Sequence, residues 1–132
     1  MANEAKIIEL YNGGKPIRFT CLDNTTIEKG TLLELEDTRT VKKVSGSDIP
    51  IAGIASAEKV ADDGATSIAV YQDGMFEMTA TGSVTVGYDV VSAGADNTIK
   101  NYTTLDGEKG RILGKALNTG TTGDTIRVRV NL

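Results

Sequence analysis

The end of the chain shows the clearest alternation of apolar and polar residues. The apolar positions are Ile126, Val128, Val130 and Leu132, and the polar positions between them are Arg127, Arg129 and Asn131. A period of two is typical of a β-strand that places one face on a core and the other towards water or a partner. The preceding segment, 112–117, is also apolar and is followed by a turn at 118–123 with two glycines. We therefore predict two strands that close the fold.

A phrase from the middle of the chain recurs in these closing strands. Residues 51–55 and 112–116 both read Ile-x-Gly-x-Ala, and each is followed by a Gly-containing turn and Ile-x-Val. Four upstream pairs are each 57 positions apart: Phe19 with Phe76, Ile27 with Val84, Gly30 with Gly87, and Leu33 with Val90. Such a register favours a duplication over the chance recurrence of Gly and Val in a β protein. We predict two related halves, at about 17–70 and 74–131.

Short apolar runs and turn residues follow one another along residues 15–132, and no segment carries a sustained helical stripe. This pattern predicts an all-β fold, a single small domain that is either a β-barrel or a sandwich. Within it, Gly53 interrupts a strand and predicts a close approach of the backbone or a bulge.

Residues 66–72 and 75–80 read as a hairpin joined by Asp73 and Gly74, a pair typical of a type I′ turn. The register of this hairpin places Ile68 and Val70 beside polar neighbours, so neither of its faces is cleanly polar. Either a bulge shifts the register, or one face contacts the core and the other a second subunit.

Residues 1–14 form a separate N-terminal arm that ends at Asn12-Gly13-Gly14. Its apolar residues are unfavourable to leave in water, although a frayed terminus is the alternative. We expect the arm to pack on its own subunit or on a neighbour. The candidate partner-binding residues are Ile7, Ile8, Leu10 and Tyr11.

Composition narrows the classes of function. A chain of 132 residues is expected to form one domain. The net charge of −4 argues against a nucleic-acid partner, because binding to nucleic acid depends on neutralising phosphates. No apolar run approaches the length of a membrane span, and the start lacks the features of a signal peptide, so we expect synthesis in the cytoplasm. The single cysteine, Cys21, is expected to be a buried structural thiol.

No motif for catalysis, a metal or a cofactor stands out. The chain has no His, and Asn12-Gly13-Gly14-Lys15-Pro16 lacks the spacing of a phosphate loop. The acidic pairs at 36–37 and 62–63 lie in turn-like sequence, which explains them better than general acid–base chemistry does. We therefore expect no catalytic residues, no metal and no cofactor, and a protein that is not an enzyme.

Four phrases together resemble the capsid cement, or head decoration, proteins of tailed double-stranded-DNA viruses. They are residues 26–33 (TIEKGTLL), 51–55 (IAGIA), 84–91 (VTVGYDVV) and 114–117 (GKAL) with 123–128 (GDTIRV). The resemblance covers about residues 15–132. One departure is at 63–66, where the acidic residue that the family often has after Gly is absent.

This resemblance implies a β domain, commonly a homotrimer, on the outer surface of the virion of a bacteriophage or archaeal virus. It implies that the major capsid protein is the partner, that binding follows expansion of the shell, and that no membrane, cofactor or reaction is involved.

Two alternatives remain open at this level. A lipoyl- or biotinyl-like binding module is also a small β fold of two halves, and it would present a modifiable lysine, for which only 41–44 (VKKV) is a candidate. A viral tail or receptor-binding β module is the other; the scarcity of aromatic residues argues against sugar recognition, but not against protein recognition.

Overall fold

The computed structural model describes residues 3–10, 15–47, 49–94, 96–102 and 111–132, which contain β-strands and no helix. No helix long and apolar enough to cross a membrane therefore occurs in these ranges. The strands of these ranges are β1 (Lys6–Glu9), β2 (Ile17–Thr20), β3 (Leu32–Asp37), β4 (Thr40–Lys43), β5 (Ile51–Ala55), β6 (Ser67–Tyr71), β7 (Asp73–Ala80), β8 (Asp89–Gly94), β9 (Thr98–Asn101), β10 (Gly114–Ala116) and β11 (Thr125–Asn131).

These strands form two closed five-stranded barrels of the same topology. In barrel 1 the order is β2–β4–β3–β5–β6, and β6 pairs back to β2. In barrel 2 the order is β7–β9–β8–β10–β11, and β11 pairs back to β7. Each ring has one parallel pair, β2–β4 or β7–β9, and its other pairs are antiparallel. The all-β prediction and the prediction of two related halves are both confirmed, and each half is a barrel.

Equivalent hydrogen bonds establish which residues correspond between the barrels. Gly30 N donates to Ala55 O, and Gly87 N donates to Ala116 O, so the predicted pair of glycines is correct. The match of Phe19 with Phe76 is wrong by two residues. Phe19 lies opposite Ile68 in β6, whereas the residue opposite Ile126 in β11 is Met78. Phe19 therefore corresponds to Met78.

The predicted hairpin of 66–72 with 75–80 does not form. Strand β6 pairs with β2 and β5, and β7 pairs with β1, β9 and β11, so the two strands belong to different barrels. Closure explains this outcome, because β2 and β5 already occupy both edges of β6. The mixed faces also have an explanation: Ile68 and Val70 fill barrel 1, while Met78 packs in the other cluster.

Two apolar clusters hold the molecule together. The interior of barrel 1 is a small cluster that includes Cys21, which is 2% exposed, as predicted for a structural thiol. The larger cluster fills barrel 2 and continues onto barrel 1. Four buried side chains of barrel 1 contribute to this larger cluster, and together we name them the docking face: Leu32, Val44, Ile51 and Ile54. The two barrels are therefore joined by a continuous apolar contact.

Gly53 and its counterpart Gly114 lie where a neighbouring strand approaches closely. A Cβ at Gly53 would overlap the carbonyl oxygen of Tyr71, and a Cβ at Gly114 would overlap that of Arg129. The prediction of a close backbone approach at Gly53 is confirmed, and the pairing of β3 with β5 also has an irregular register beside it.

The predicted alternation in β11 is confirmed over most of its length. Ile126, Val128 and Val130 are fully buried, but Leu132 lies beyond the strand and is 41% exposed.

Candidate interaction surfaces

The N-terminal arm forms a strand on its own subunit. Strand β1 pairs antiparallel with the first half of β7, with Ile7 opposite Phe76. The second half of β7, at Thr79 and Ala80, pairs with β9 instead. Strand β1 therefore pairs with the part of the β7 edge that β9 does not reach. Among the described residues it has no second strand partner, so its outer edge is a place where another chain could add a strand.

The arm also contacts barrel 1. Ala5, which is buried, donates its N–H to Gly30 O at 3.0 Å. A Cβ at Gly30 would overlap the Glu4 side chain, so the arm passes directly over this glycine. Because β1 pairs with barrel 2 while Ala5 contacts barrel 1, the arm connects the two halves.

Of the four candidate partner-binding residues, the three that the structure describes differ in their surroundings. Ile7 and Ile8 are 39% and 40% exposed, and they lie where the pairing of β1 with β7 has an irregular register, between Ile7 and Glu9. Leu10 packs against the larger apolar cluster of its own chain. Tyr11 lies outside the described residues. Ile7 and Ile8 are therefore the two members of the set that present apolar surface along the open edge.

A buried asparagine joins the arm and both barrels. Asn97, in the turn between β8 and β9, is 5% exposed. Its Oδ1 accepts from Leu32 N at 2.7 Å, and its Nδ2 donates to Asn3 O at 2.7 Å and to Gly30 O at 3.0 Å. The Asn97 side chain therefore provides hydrogen-bond partners for backbone groups of the arm and of barrel 1, and it connects both to barrel 2.

An exposed apolar patch on barrel 2 was not predicted from the sequence. It consists of Val86 and Tyr88, each 54% exposed, and Leu117, 41% exposed. Backbone hydrogen bonds bring them together: Gly87 N donates to Ala116 O, and Ala116 N donates to Tyr88 O. Alternation along one strand could not reveal the patch, because its members come from two segments that meet only in the folded barrel.

A buried lysine organises the loops at one end of barrel 1. The side chain of Lys59 is 2% exposed, and its ammonium donates to Asp63 Oδ1 at 2.9 Å and Asp23 Oδ1 at 3.1 Å. It also donates to the carbonyls of Asp23 and Val60. Four oxygens thus surround one charge and tie the loop at 22–26 to the loop at 60–65.

This arrangement holds Lys59 in its charged form. Burial alone would lower the pKa of Lys59, but the hydrogen bonds and charges of Asp63 and Asp23 outweigh burial and raise this pKa. The hydrogen bond from Lys59, together with those from the backbone N–H groups of Ala65 and Val60, lowers the pKa of Asp63 from 3.8 to about 2. A nucleophilic lysine needs the opposite shift, so the cluster is suited to stabilising the loops. Burial likewise raises the pKa of the Cys21 thiol, which disfavours its reactive thiolate.

The lysines considered for a lipoyl- or biotinyl-like module do not lie at a hairpin tip. Lys42 and Lys43 belong to β4, and Lys42 is 3.3 Å from a carboxylate oxygen of Glu34. The turn before β4 contains Thr38 and Arg39 instead. In the described ranges, no group of three His, Cys, Asp or Glu side chains is arranged to hold a metal ion.

Comparisons with known proteins identify one matching family and one solved structure of similar fold. A family model described as phage cement protein matches residues 11–132. Among solved structures, the head fiber gp8.5 N base of bacteriophage phi29 is similar, with a TM-score of 0.56 and 14% sequence identity. The similarity covers 87% of this chain and 93% of that chain, and at this identity it shows a shared fold. No curated protein matches the sequence.

Proposed function

This chain belongs to the phage cement protein family, and we propose that it binds the outer surface of an expanded phage capsid and stabilises the shell without catalysis. Membership in the family supports a structural role on the capsid. The observation that carries the proposal is the match of the family model over residues 11–132, which include both barrels. The proposed partner is the major capsid protein, and the proposed location is the exterior of the virion, after synthesis in the host cytoplasm.

Stabilisation follows from differential affinity. A protein that binds the expanded lattice more tightly than the unexpanded one shifts the equilibrium towards the expanded lattice by mass action. Two closed barrels joined by an apolar contact suit this role, because a rigid binder loses little conformational entropy when it docks.

We also propose that the protein acts as a homotrimer. Three linked subunits bind three capsid sites with a high effective concentration, so that modest single contacts become durable. An acidic chain of net charge −4 keeps such an assembly soluble.

Co-sedimentation tests the proposal. The purified chain is mixed with expanded, undecorated capsids of the source phage and, separately, with unexpanded shells. We expect saturable pelleting with expanded capsids and little with unexpanded ones. Equal pelleting with both shells would contradict the dependence on expansion, and no pelleting with either would contradict capsid binding itself.

Within this function, the arm is the proposed capsid-contacting strand. Its open edge and the exposed side chains of Ile7 and Ile8 support addition to a strand of the shell. We expect Ile7→Glu with Ile8→Glu to weaken capsid pelleting. Ile17→Glu is the matched control, because Ile17 is also a strand isoleucine and is 47% exposed on barrel 1. An equal loss in both variants, or no loss in either, would contradict the proposed role of the arm.

A further inference from the structure

The two barrels meet through different surfaces. Barrel 1 contributes the docking face, and barrel 2 contributes the end of β8 with the turn that follows it, which together we name the β8–β9 turn. Here Asn97 Oδ1 accepts from Leu32 N, Ser92 Oγ donates to Gly46 O, and Ala93 forms a β-bridge with Ser47. A contact between two unlike surfaces is head-to-tail, and it places one further surface of each kind at the two ends of the pair.

The counterpart of the docking face lies on barrel 2. The hydrogen bond from Val44 N to Leu32 O recurs as that from Tyr102 N to Asp89 O, so Asp89 stands where barrel 1 has Leu32. The strands β3 and β5 correspond to β8 and β10, which places Lys115 at the position of Ile54. We name Asp89, Tyr102, Ile112 and Lys115 the second docking face.

The counterpart of the β8–β9 turn is formed by residues 35–39, the end of β3 with the turn that follows it, which we name the β3–β4 turn. Both turns follow the same irregular register, between Leu35 and Asp37 in barrel 1 and between Ser92 and Gly94 in barrel 2. Both contain a residue with positive φ, Arg39 at 48° and Asn97 at 62°. Arg39 therefore stands where barrel 2 has Asn97.

In the part of the chain that the structure describes, both counterparts present exposed or partly exposed side chains. Residues 35–39 are exposed, and Leu35 is 42% exposed, whereas its counterpart Ser92 is fully buried. On the second docking face, all four side chains are at least partly exposed. The adjacent patch of Val86, Tyr88 and Leu117 surrounds Gly87, where a Cβ would meet nothing within 4 Å. At the corresponding Gly30, a Cβ would overlap the arm.

We propose that the second docking face binds the β3–β4 turn of another copy of this chain, so that the head-to-tail contact inside the chain is repeated between chains. Charge complementarity supports a second copy as the occupant. Asn97 contacts Leu32 within the chain, and the residues at these positions in the repeated contact, Arg39 and Asp89, carry opposite charges. Glu36 and Asp37 would likewise approach the face that contains Lys115.

This inference rests on the self-association part of the proposed function and deepens it by naming the surfaces. A head-to-tail contact produces a ring if its rotation closes and an open filament if it does not. A closed trimer would be a ring of six barrels in which internal contacts and contacts between subunits alternate. Capsid binding is not required for this contact, so the two proposals can fail separately.

Cysteine cross-linking tests the direction of the contact. Arg39→Cys and Asp89→Cys are prepared as separate chains and treated with a short bismaleimide, alone and mixed. We expect a covalent dimer in the mixture and not with either variant alone, because each link needs one residue from each surface. Val60→Cys mixed with Asp89→Cys is the matched control, because Val60 is 56% exposed and lies in the 60–65 loop of barrel 1.

Charge reversal provides a second readout by sedimentation velocity. Arg39→Glu alone and Asp89→Arg alone are each expected to weaken self-association by about tenfold or more, and the doubly substituted chain is expected to recover it. A chain that is monomeric up to its solubility limit would overturn the inference. An oligomer whose cross-links do not exceed those of the Val60→Cys control would also overturn it, while homotrimer formation would stand. Co-sedimentation with capsids is scored independently of both.

Discussion

Lys59 stands where barrel 2 has Gly120. The bridge between Ile27 and Lys59 is repeated between Val84 and Gly120, so these residues occupy equivalent backbone positions. Barrel 1 has longer loops at this end, and the ammonium of Lys59 supplies the hydrogen-bond donor that joins them. The residue difference thus accompanies a difference in loop length within one shared fold.

The Lys59 cluster predicts a defined dependence of stability on pH. Because the pKa of Asp63 is lowered to about 2 from 3.8, its stabilising contribution is present above pH 3.8 and is lost as the pH falls through 2. The raised pKa of Lys59 means that its contribution persists up to its usual pKa of 10.5 and is lost at higher pH. We expect Asp63→Asn to be less stable than the wild type at pH 7 and equally stable below pH 2.

Denaturant titrations across this pH range measure the effect. Asp62→Asn is the control, because Asp62 is exposed and has a φ of 63°, a conformation that asparagine tolerates well. A stability difference between Asp63→Asn and the wild type that is constant from pH 7 to pH 2 would contradict the assigned ion pair.

Gly114 predicts a steric effect that does not depend on backbone strain. Its φ is not in the left-handed region, and a Cβ there would overlap Arg129 O. We expect Gly114→Ala to lower the free energy of unfolding by about 3 kcal/mol. In Gly46→Ala, the new Cβ would lie 3.8 Å from Ile49, so we expect a change of less than about 1 kcal/mol. Equal costs in urea denaturation would show that β10 and β11 can separate to admit the methyl group.

At the scale of elements, the two equivalent turns of the barrels make different contacts. The β3–β4 and β8–β9 turns share their register irregularity and their left-handed residue. Asn97 uses that geometry to join barrel 2 to β3 and to the arm, whereas the guanidinium of Arg39 donates to Arg18 O within barrel 1. One backbone conformation therefore supports an internal junction in one copy and an exposed loop in the other.

Removing the Asn97 side chain should loosen this junction. Asn97→Gly keeps the backbone conformation available but removes three hydrogen bonds, so the buried N–H of Leu32 loses its acceptor and the carbonyls of Asn3 and Gly30 each lose a donor. We expect a loss of about 3 kcal/mol, measured by denaturant titration. Hydrogen exchange should become faster at the Leu32 amide. Asn101→Gly is a comparison variant, because the Asn101 side chain accepts a single bond, from Thr85 N. A loss in Asn97→Gly no larger than that in Asn101→Gly would contradict the junction role.

At the scale of the whole molecule, the larger apolar cluster crosses the boundary between the halves. Ile54 belongs to barrel 1 by its strand and to the larger cluster by its contacts. Neither barrel can separate without exposing the docking face, so the halves should not unfold independently.

Calorimetry should accordingly show one cooperative transition, with an unfolding enthalpy of about 90 kcal/mol for a chain of this length near 60 °C. Ile54→Ala should cost about 3 kcal/mol and lower this single transition. Ile17→Ala, at a position that is 47% exposed, should have a much smaller effect. Two separate transitions in the wild type, or a splitting caused by Ile54→Ala, would show that the barrels are independent units.

Several local features were predictable from residues that are close in sequence. The alternation from Ile126 to Val130, the burial of Cys21 and the tight approach at Gly53 were each predicted from a few neighbouring residues, and all three predictions are confirmed. The hairpin prediction at Asp73 and Gly74 failed because a good turn signal does not show whether the edges of the flanking strands are already occupied.

The sequence by itself determined the class of fold and the duplication, because alternation and a recurring register are recorded directly in the order of residues. Only the tertiary structure decided that each half closes on itself, that the arm pairs with β7, and that Val86, Tyr88 and Leu117 form one patch. It also separated the buried docking face from its partly exposed counterpart, whose sequence positions are equivalent. The physical reason is that the exposure of a residue depends on which surfaces meet in the folded chain. Equivalent positions of the two barrels therefore differ in exposure when only those of barrel 1 pack against the other barrel.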